Sequence, residues 1–108
     1  MKRMKRIFYN LNHLVAIHRF MEEFWKEHRY GASNRDIVEA GFASSTSVVR
    51  YYYDRMEKLG MISIPRIEID GRKFTPARGI ILLPLSKAAP VIRQLLEAER
   101  AAELVTTI

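Results

Sequence analysis

The stretch SNRDIVEAGFASSTSVVRYYYDRMEKLG, residues 33–60, decides the fold. It reads as two helices joined by a tight turn. The first covers roughly residues 33–40. Ser33 is a good N-cap, and Asp36 three positions on completes a variant of the capping box. Ile37 and Val38 are its apolar anchors, and Gly41 suits a left-handed C-terminal cap. Phe42 is expected to drop into a core. Ser44 and Ser45 are candidate N-caps for a longer second helix. Val49, Tyr52, Tyr53, Met56 and Leu59 recur at three- and four-residue steps and mark its inward side. Its other side opens with Ser45, Thr46, Ser47, Arg50 and Tyr51, which are hydrogen-bonding groups without an acid in the first two turns. A helix that begins this way can enter a DNA major groove. An ordinary capped amphipathic helix is the alternative.

The 108 residues allow one domain, and an apolar share of 48% supports a real core. Eighteen Lys and Arg against twelve Asp and Glu give a net charge of +6. The pI near 9.9 favours an anionic partner, of which nucleic acid is the commonest. Cysteine is absent, which excludes a disulfide or thiolate metal site and suits a reducing cytosol. No apolar run is long enough to span a membrane, and no signal-peptide pattern precedes the domain. The expected location is therefore cytoplasmic, at the nucleoid.

Residues 1–10 form a basic arm whose first six residues carry four positive charges, either a phosphate-tracking element or a solvated tail. Residues 11–29 read as a long helix, capped by Asn10 or Asn12. Leu14, Ile17, Met21 and Phe24 lie on its apolar face, which Val15, Phe20 and Trp25 widen. His13, His18 and His28 are spaced by five and ten, which does not stack them as an i, i+4 metal pair. After Gly60 the pattern turns strand-like at residues 61–64. Ile67, Glu68 and Ile69 alternate, Asp70 and Gly71 give a hairpin turn signal, and Arg72, Lys73 and Phe74 begin the return. Residues 79–83 read as a second, buried strand. A two-residue turn puts Ile69 opposite Arg72 and Pro65 opposite Pro76, implying a paired base and a splayed tip. That tip is expected to hold Arg66, Arg72, Lys73 and Arg78. A basic hairpin directly after the long helix is the wing of a winged helix, which lies along a phosphate backbone or an adjacent minor groove. Its alternative is a charge-guarded sheet edge. Residues 86–105 hold a last helix with Pro90 in its first turn. Its stripe of Val91, Ile92, Leu95, Leu96, Ala98 and Ala102 suits either the core or a dimer contact, with a lean towards the dimer.

The order helix, short helix, recognition-type helix, basic hairpin resembles the N-terminal DNA-binding domain of LexA-type repressors. The likeness rests on Tyr30, Gly31, Ala32, Ser33, Asn34, Arg35, Asp36 and Ile37, then on Gly41, Phe42, Ala43 and Ser44. It continues through residues 56–62, MEKLGMI, and 77–82, ARGIIL. The resemblance spans roughly residues 11–83, most of the chain. Relative to the family, the segment between Gly41 and Gly60 is one residue longer, and the wing is longer than is usual. The family's self-cleaving peptidase domain has no counterpart here. Ala40 and Gly41 fall in the turn, and Ser86 and Lys87 are chain neighbours ahead of a helix, so autoproteolysis is not expected.

The resulting expectation is an α+β, mainly α fold: a winged helix-turn-helix of three helices and a hairpin, with an additional C-terminal helix. The expected function is sequence-specific binding of double-stranded DNA by a LexA-like transcription regulator, with no cofactor and no metal, as a homodimer through the C-terminal helix. Ser33, Asn34, Arg35, Ser44, Ser45, Thr46, Ser47, Arg50, Tyr51, Arg72 and Lys73 are the candidate DNA-binding residues. The second reading is a protein-interaction module using the patch of Tyr51, Tyr52 and Tyr53. Single-stranded RNA stacked on those tyrosines is the third. No glycine-rich phosphate loop or carboxylate pair points to an enzyme.

Overall fold

A computed structural model describes the backbone of residues 2–106 and the side chains of residues 11–104. The chain is α+β and mainly helical. Its first helix, α1 (Lys2–His28), is longer than the sequence pattern suggests. The expected basic arm is not a separate tail. From Lys2 onward it is the first part of α1, and Asn10 and Asn12 are interior residues rather than caps. The physical reason is that residues 2–10 hold no Pro or Gly and are rich in good helix formers. Met1 lies outside the described residues. The helix stops where Arg29 takes a left-handed φ of 62° and its N–H bonds to the Trp25 carbonyl.

Helix α2 (Asn34–Glu39) and helix α3 (Thr46–Lys58) follow the sequence closely. Ser33 Oγ accepts from the Asp36 N–H at 3.2 Å, and the Ser33 N–H donates to Asp36 Oδ2 at 2.8 Å, completing the capping box. Gly41 turns the chain at φ 89°. Phe42 is half-buried between the rings of His13 and Phe20 rather than in the deep core. Ser45, not Ser44, caps α3, its Oγ accepting from the Val48 N–H.

Four short strands follow: β1 (Ile62–Ser63), β2 (Ile67–Ile69), β3 (Arg72–Phe74) and β4 (Ile81–Leu82). β1 pairs antiparallel with β4, and β2 with β3. Asp70 and Gly71 both have positive φ, as a tight hairpin turn demands, and Ile69 faces Arg72. The splaying lies elsewhere than expected. The tip is fully paired, and the break sits between the ladders, where residues 64–66 face the longer segment 75–80. Pro65 and Pro76, each lacking an N–H, both fall in this break. The expected strand over residues 79–83 shrinks to β4, and Ile81 is exposed rather than buried.

One core joins the elements. Leu11, Leu14, Val15, Ile17 and Met21 of α1 meet Ile37, then Val49, Tyr53 and Met56 of α3, with Met61 and Ile62 at the start of the hairpin. Trp25, expected on the apolar face of α1, is half-exposed instead. His18 is buried, and its Nε2–H donates to the Leu83 carbonyl at 2.9 Å, pinning α1 to the end of β4. A single 3-10 turn (Leu85–Lys87) leads to α4 (Pro90–Thr106). The apolar stripe of α4 divides. Ile92 is fully buried, and Leu95 and Leu96 pack on the core, whereas Val91, Ala98 and Ala102 are exposed. Arg19 ties α1 to α4 through Glu99 at 2.9 Å. Thr107 and Ile108, expected to fray, lie outside the described residues.

Candidate nucleic-acid interface

The hydrophobic seam of α3 fixes what its other face presents. With Val49, Tyr53 and Met56 buried, the helical period turns Thr46, Ser47, Arg50 and Tyr51 to solvent, and all four are exposed. Ser44 and Ser45 are exposed just before them. Ser45 spends its Oγ lone pair on the cap, which leaves its hydroxyl proton available for donation. Tyr51 carries the guanidinium of Arg55 at 5.9 Å over its ring, and its hydroxyl accepts from Arg55 Nη1 at 3.4 Å.

A groove of about 630 Å³ runs between the start of α2, the flank of α3 and the return arm of the hairpin. Ser33, Asn34 and Arg35 line one side, Arg50, Tyr53 and Asp54 the second, and Lys73 and Phe74 the third. Three of the expected contact sets, separate in sequence, thus share one concave surface. Arg72 is exposed on the same hairpin.

The cations around this groove sort into two kinds. Arg66 makes a bidentate pair with Glu57, both bonds 2.9 Å. Arg78 donates through Nη1 to Asp36 Oδ2 and to the Gly31 carbonyl, each at 2.9 Å, and stacks 4.6 Å over the Tyr30 ring. These two arginines, expected at the hairpin tip, instead strap the hairpin to the body. The longer return arm is what brings Arg78 back to α2. Arg35, Arg50, Arg72 and Lys73 form no ion pair among the described residues. Their charge is therefore presented to solvent, with Asp54 on the groove wall and Glu68 opposite Lys73 across the ladder.

Two carboxylates feel these straps. The Ser33 N–H holds Asp36 below the usual carboxylate range, with the Ser33 hydroxyl and Arg78 acting in the same direction against some desolvation. Arg66 holds Glu57 low in the same way. Tyr53 is different: burial pushes its hydroxyl up to about 12, and the charge on Asp36 adds to this. Its Oη is buried, with no hydrogen-bond partner among the described residues.

The capping box occupies the Ser33 N–H and uses its Oγ as an acceptor, so of the groups expected to reach a phosphate at Ser33 only the hydroxyl proton is left to donate while the cap is intact. Asn34 and Arg35 are not engaged in the capping box. The tyrosine patch is also smaller than expected. Tyr51 is exposed, Tyr52 is half-buried against His13 with ring centroids 5.0 Å apart, and Tyr53 is core. Sequence reasoning missed the two arginine straps, because the partners of Arg78 lie 42 and 47 residues away. A cation flanked by turn residues gave no local signal. No family model, curated protein or solved structure matches the chain significantly.

Proposed function

We propose that the chain is a DNA-binding protein of the winged-helix type, a transcription regulator that places α3 in the major groove and the hairpin, as a wing, on the neighbouring backbone. The observation that carries this reading is the sorting of charge. Acid-paired arginines brace the hairpin, while Arg35, Arg50 and Lys73 line one groove and form no ion pair among the described residues. A duplex presents regularly spaced phosphates to such a surface, and base edges to the exposed Thr46, Ser47 and Arg50. The shrinkage of the tyrosine patch to Tyr51 disfavours both a protein-interaction module and an RNA-stacking platform.

On this reading Arg50 makes a bidentate guanine contact that discriminates by about 1–3 kcal/mol. Selection of bound duplexes from a random pool tests it. Arg50→Ala should lose preference at one base pair, while Lys73→Ala should weaken all sequences alike and lower the salt slope by about one. Parent and variants that bind every duplex equally, at every salt concentration, would remove the basis for the proposal. The exposed second half of α4, with Leu104 at its outer end, is the surface through which two copies would read a palindromic site.

A further inference from the structure

A second concavity, of about 440 Å³, opens between α1 and β4 and shares no residue with those assigned above to DNA. Its base is apolar: Met21 and Ala32 are buried, and Leu82 is half-buried. Trp25 and Ile81, 49% and 52% exposed, form its open sides. Its two charged lining residues, Glu22 and Lys26, pair with each other at 3.4 Å. The slot also has a polar edge. Leu83 donates its N–H to the Met61 carbonyl, and Ser63 faces Ile81. Alternation along the strand therefore turns the N–H and C=O of Leu82 away from β1, to the side where α1 packs. No further strand joins β4 there, since this sheet holds β1 and β4 alone among the described residues. A backbone donor and acceptor thus stand side by side at an apolar slot, and such groups demand partners when covered.

We infer that this slot binds a small, planar, uncharged aromatic molecule with an N–H and a C=O side by side, as in a cyclic amide. Its ring lies against Trp25 and Ile81. Its C=O accepts from the Leu82 N–H, and its N–H donates to the Leu82 carbonyl. Size selects a small molecule. Trp25 and Ile81 leave on the order of 200 Å² open, far short of the roughly 800 Å² per partner that a stable protein interface buries. The slot's volume falls within the range of about 300–1,000 Å³ typical of ligand sites, which combine apolar walls with a few polar groups. Charge selects a neutral ligand. Lys26 is held by Glu23 as well as Glu22, each at 3.4 Å, so a charged ligand would be desolvated against groups that already pair with one another. The walls select an aromatic ring. The indole of Trp25 stays half-open although the Arg29 guanidinium lies 5.5 Å from its centroid, and the Met21 thioether favours aromatic neighbours. The inference stands apart from duplex binding and is decided by ligand binding alone.

The test is an amide NMR titration of the full chain with carbostyril, a bicyclic aromatic amide, and with N-methylcarbostyril, which keeps the ring and the C=O but lacks the donor. Trp25 is the one tryptophan of the sequence, so its indole N–H gives a signal of its own. Expected with carbostyril are saturable shifts of the Trp25 indole N–H and the Leu82 amide, with a Kd of about 1 mM or below. N-methylcarbostyril should bind about fivefold more weakly, for want of one hydrogen bond. Trp25→Ala should bind carbostyril about tenfold more weakly than the parent. Melting curves show whether that variant folds, and the comparison of the two compounds on the parent needs no variant. Carbostyril that produces no saturable shift at these two signals, or shifts centred elsewhere, would overturn the inference. Equal affinity for the two compounds would overturn it too, as would a folded Trp25→Ala that binds carbostyril like the parent.

Discussion

Arg78→Ala should detach the hairpin's return arm from the body. The arginine makes three contacts at once: a 2.9 Å charge-assisted bond to Asp36, a 2.9 Å bond to the Gly31 carbonyl, and a stack 4.6 Å over Tyr30. A charged hydrogen bond contributes up to about 3 kcal/mol when shielded and much less when wet. The Arg78 side chain is 44% exposed and that of Asp36 21%, so the ionic part deserves a discount to about 1 kcal/mol. The carbonyl bond and the stack together add about 1 kcal/mol. The expected loss is therefore about 2 kcal/mol, seen as a fall in Tm on the order of 10 °C. Circular dichroism melts and urea titrations measure it. A double-mutant cycle with Asp36→Asn, which keeps an acceptor for the Ser33 N–H, should return a coupling near 1 kcal/mol. A loss below about 0.5 kcal/mol, or additivity within about 0.3 kcal/mol, would refute the idea that Arg78 fixes the hairpin.

Other perturbations have equally definite outcomes. Acid should weaken the same straps. Asp36 and Glu57 both titrate lower in the folded chain than when unfolded, so their stabilisation is complete above the ordinary carboxylate range and is lost as pH falls through their folded values. Stability that stayed flat from pH 6 to about pH 3 would contradict this. Gly31→Ala should destabilise by about 1–3 kcal/mol, since a Cβ there would lie 2.6 Å from the Arg78 carbonyl oxygen. A neutral result in urea would mean that the connection and the return arm are not packed backbone to backbone. Leu104→Glu, at a position 64% exposed, should leave the melting temperature unchanged but abolish self-association in sedimentation if α4 is the dimer contact. An unaltered sedimentation profile in a dimeric parent would place the contact elsewhere.

The local elements were legible in the sequence because each is set by neighbours a few residues apart. Ser33 and Asp36 announce their own cap, Gly41 its turn, and Asp70 and Gly71 a hairpin whose register at Ile69 and Arg72 follows from a two-residue loop. The period of Val49, Tyr53 and Met56 likewise settled which way Arg50 points, since burying one side of a helix exposes the other. What tertiary structure decided is how separate pieces of charge and apolar surface meet. Arg66 and Arg78 looked like tip cations equal to Arg72 and Lys73, and only the fold brings Glu57, Asp36 and the Gly31 carbonyl to them. The extra residues in the return arm, 75–80 against 64–66, carry Arg78 back to α2, and no local pattern encodes that path. Trp25 and Ile81 likewise keep an apolar identity that the sequence reads as core, yet the fold leaves them half-exposed along an open pocket that they line with Met21 and Leu82. Propensity and period act over a turn or two of chain. Which charge is neutralised, and which apolar side chain stays outside, depends on residues that meet only after the chain has closed on itself.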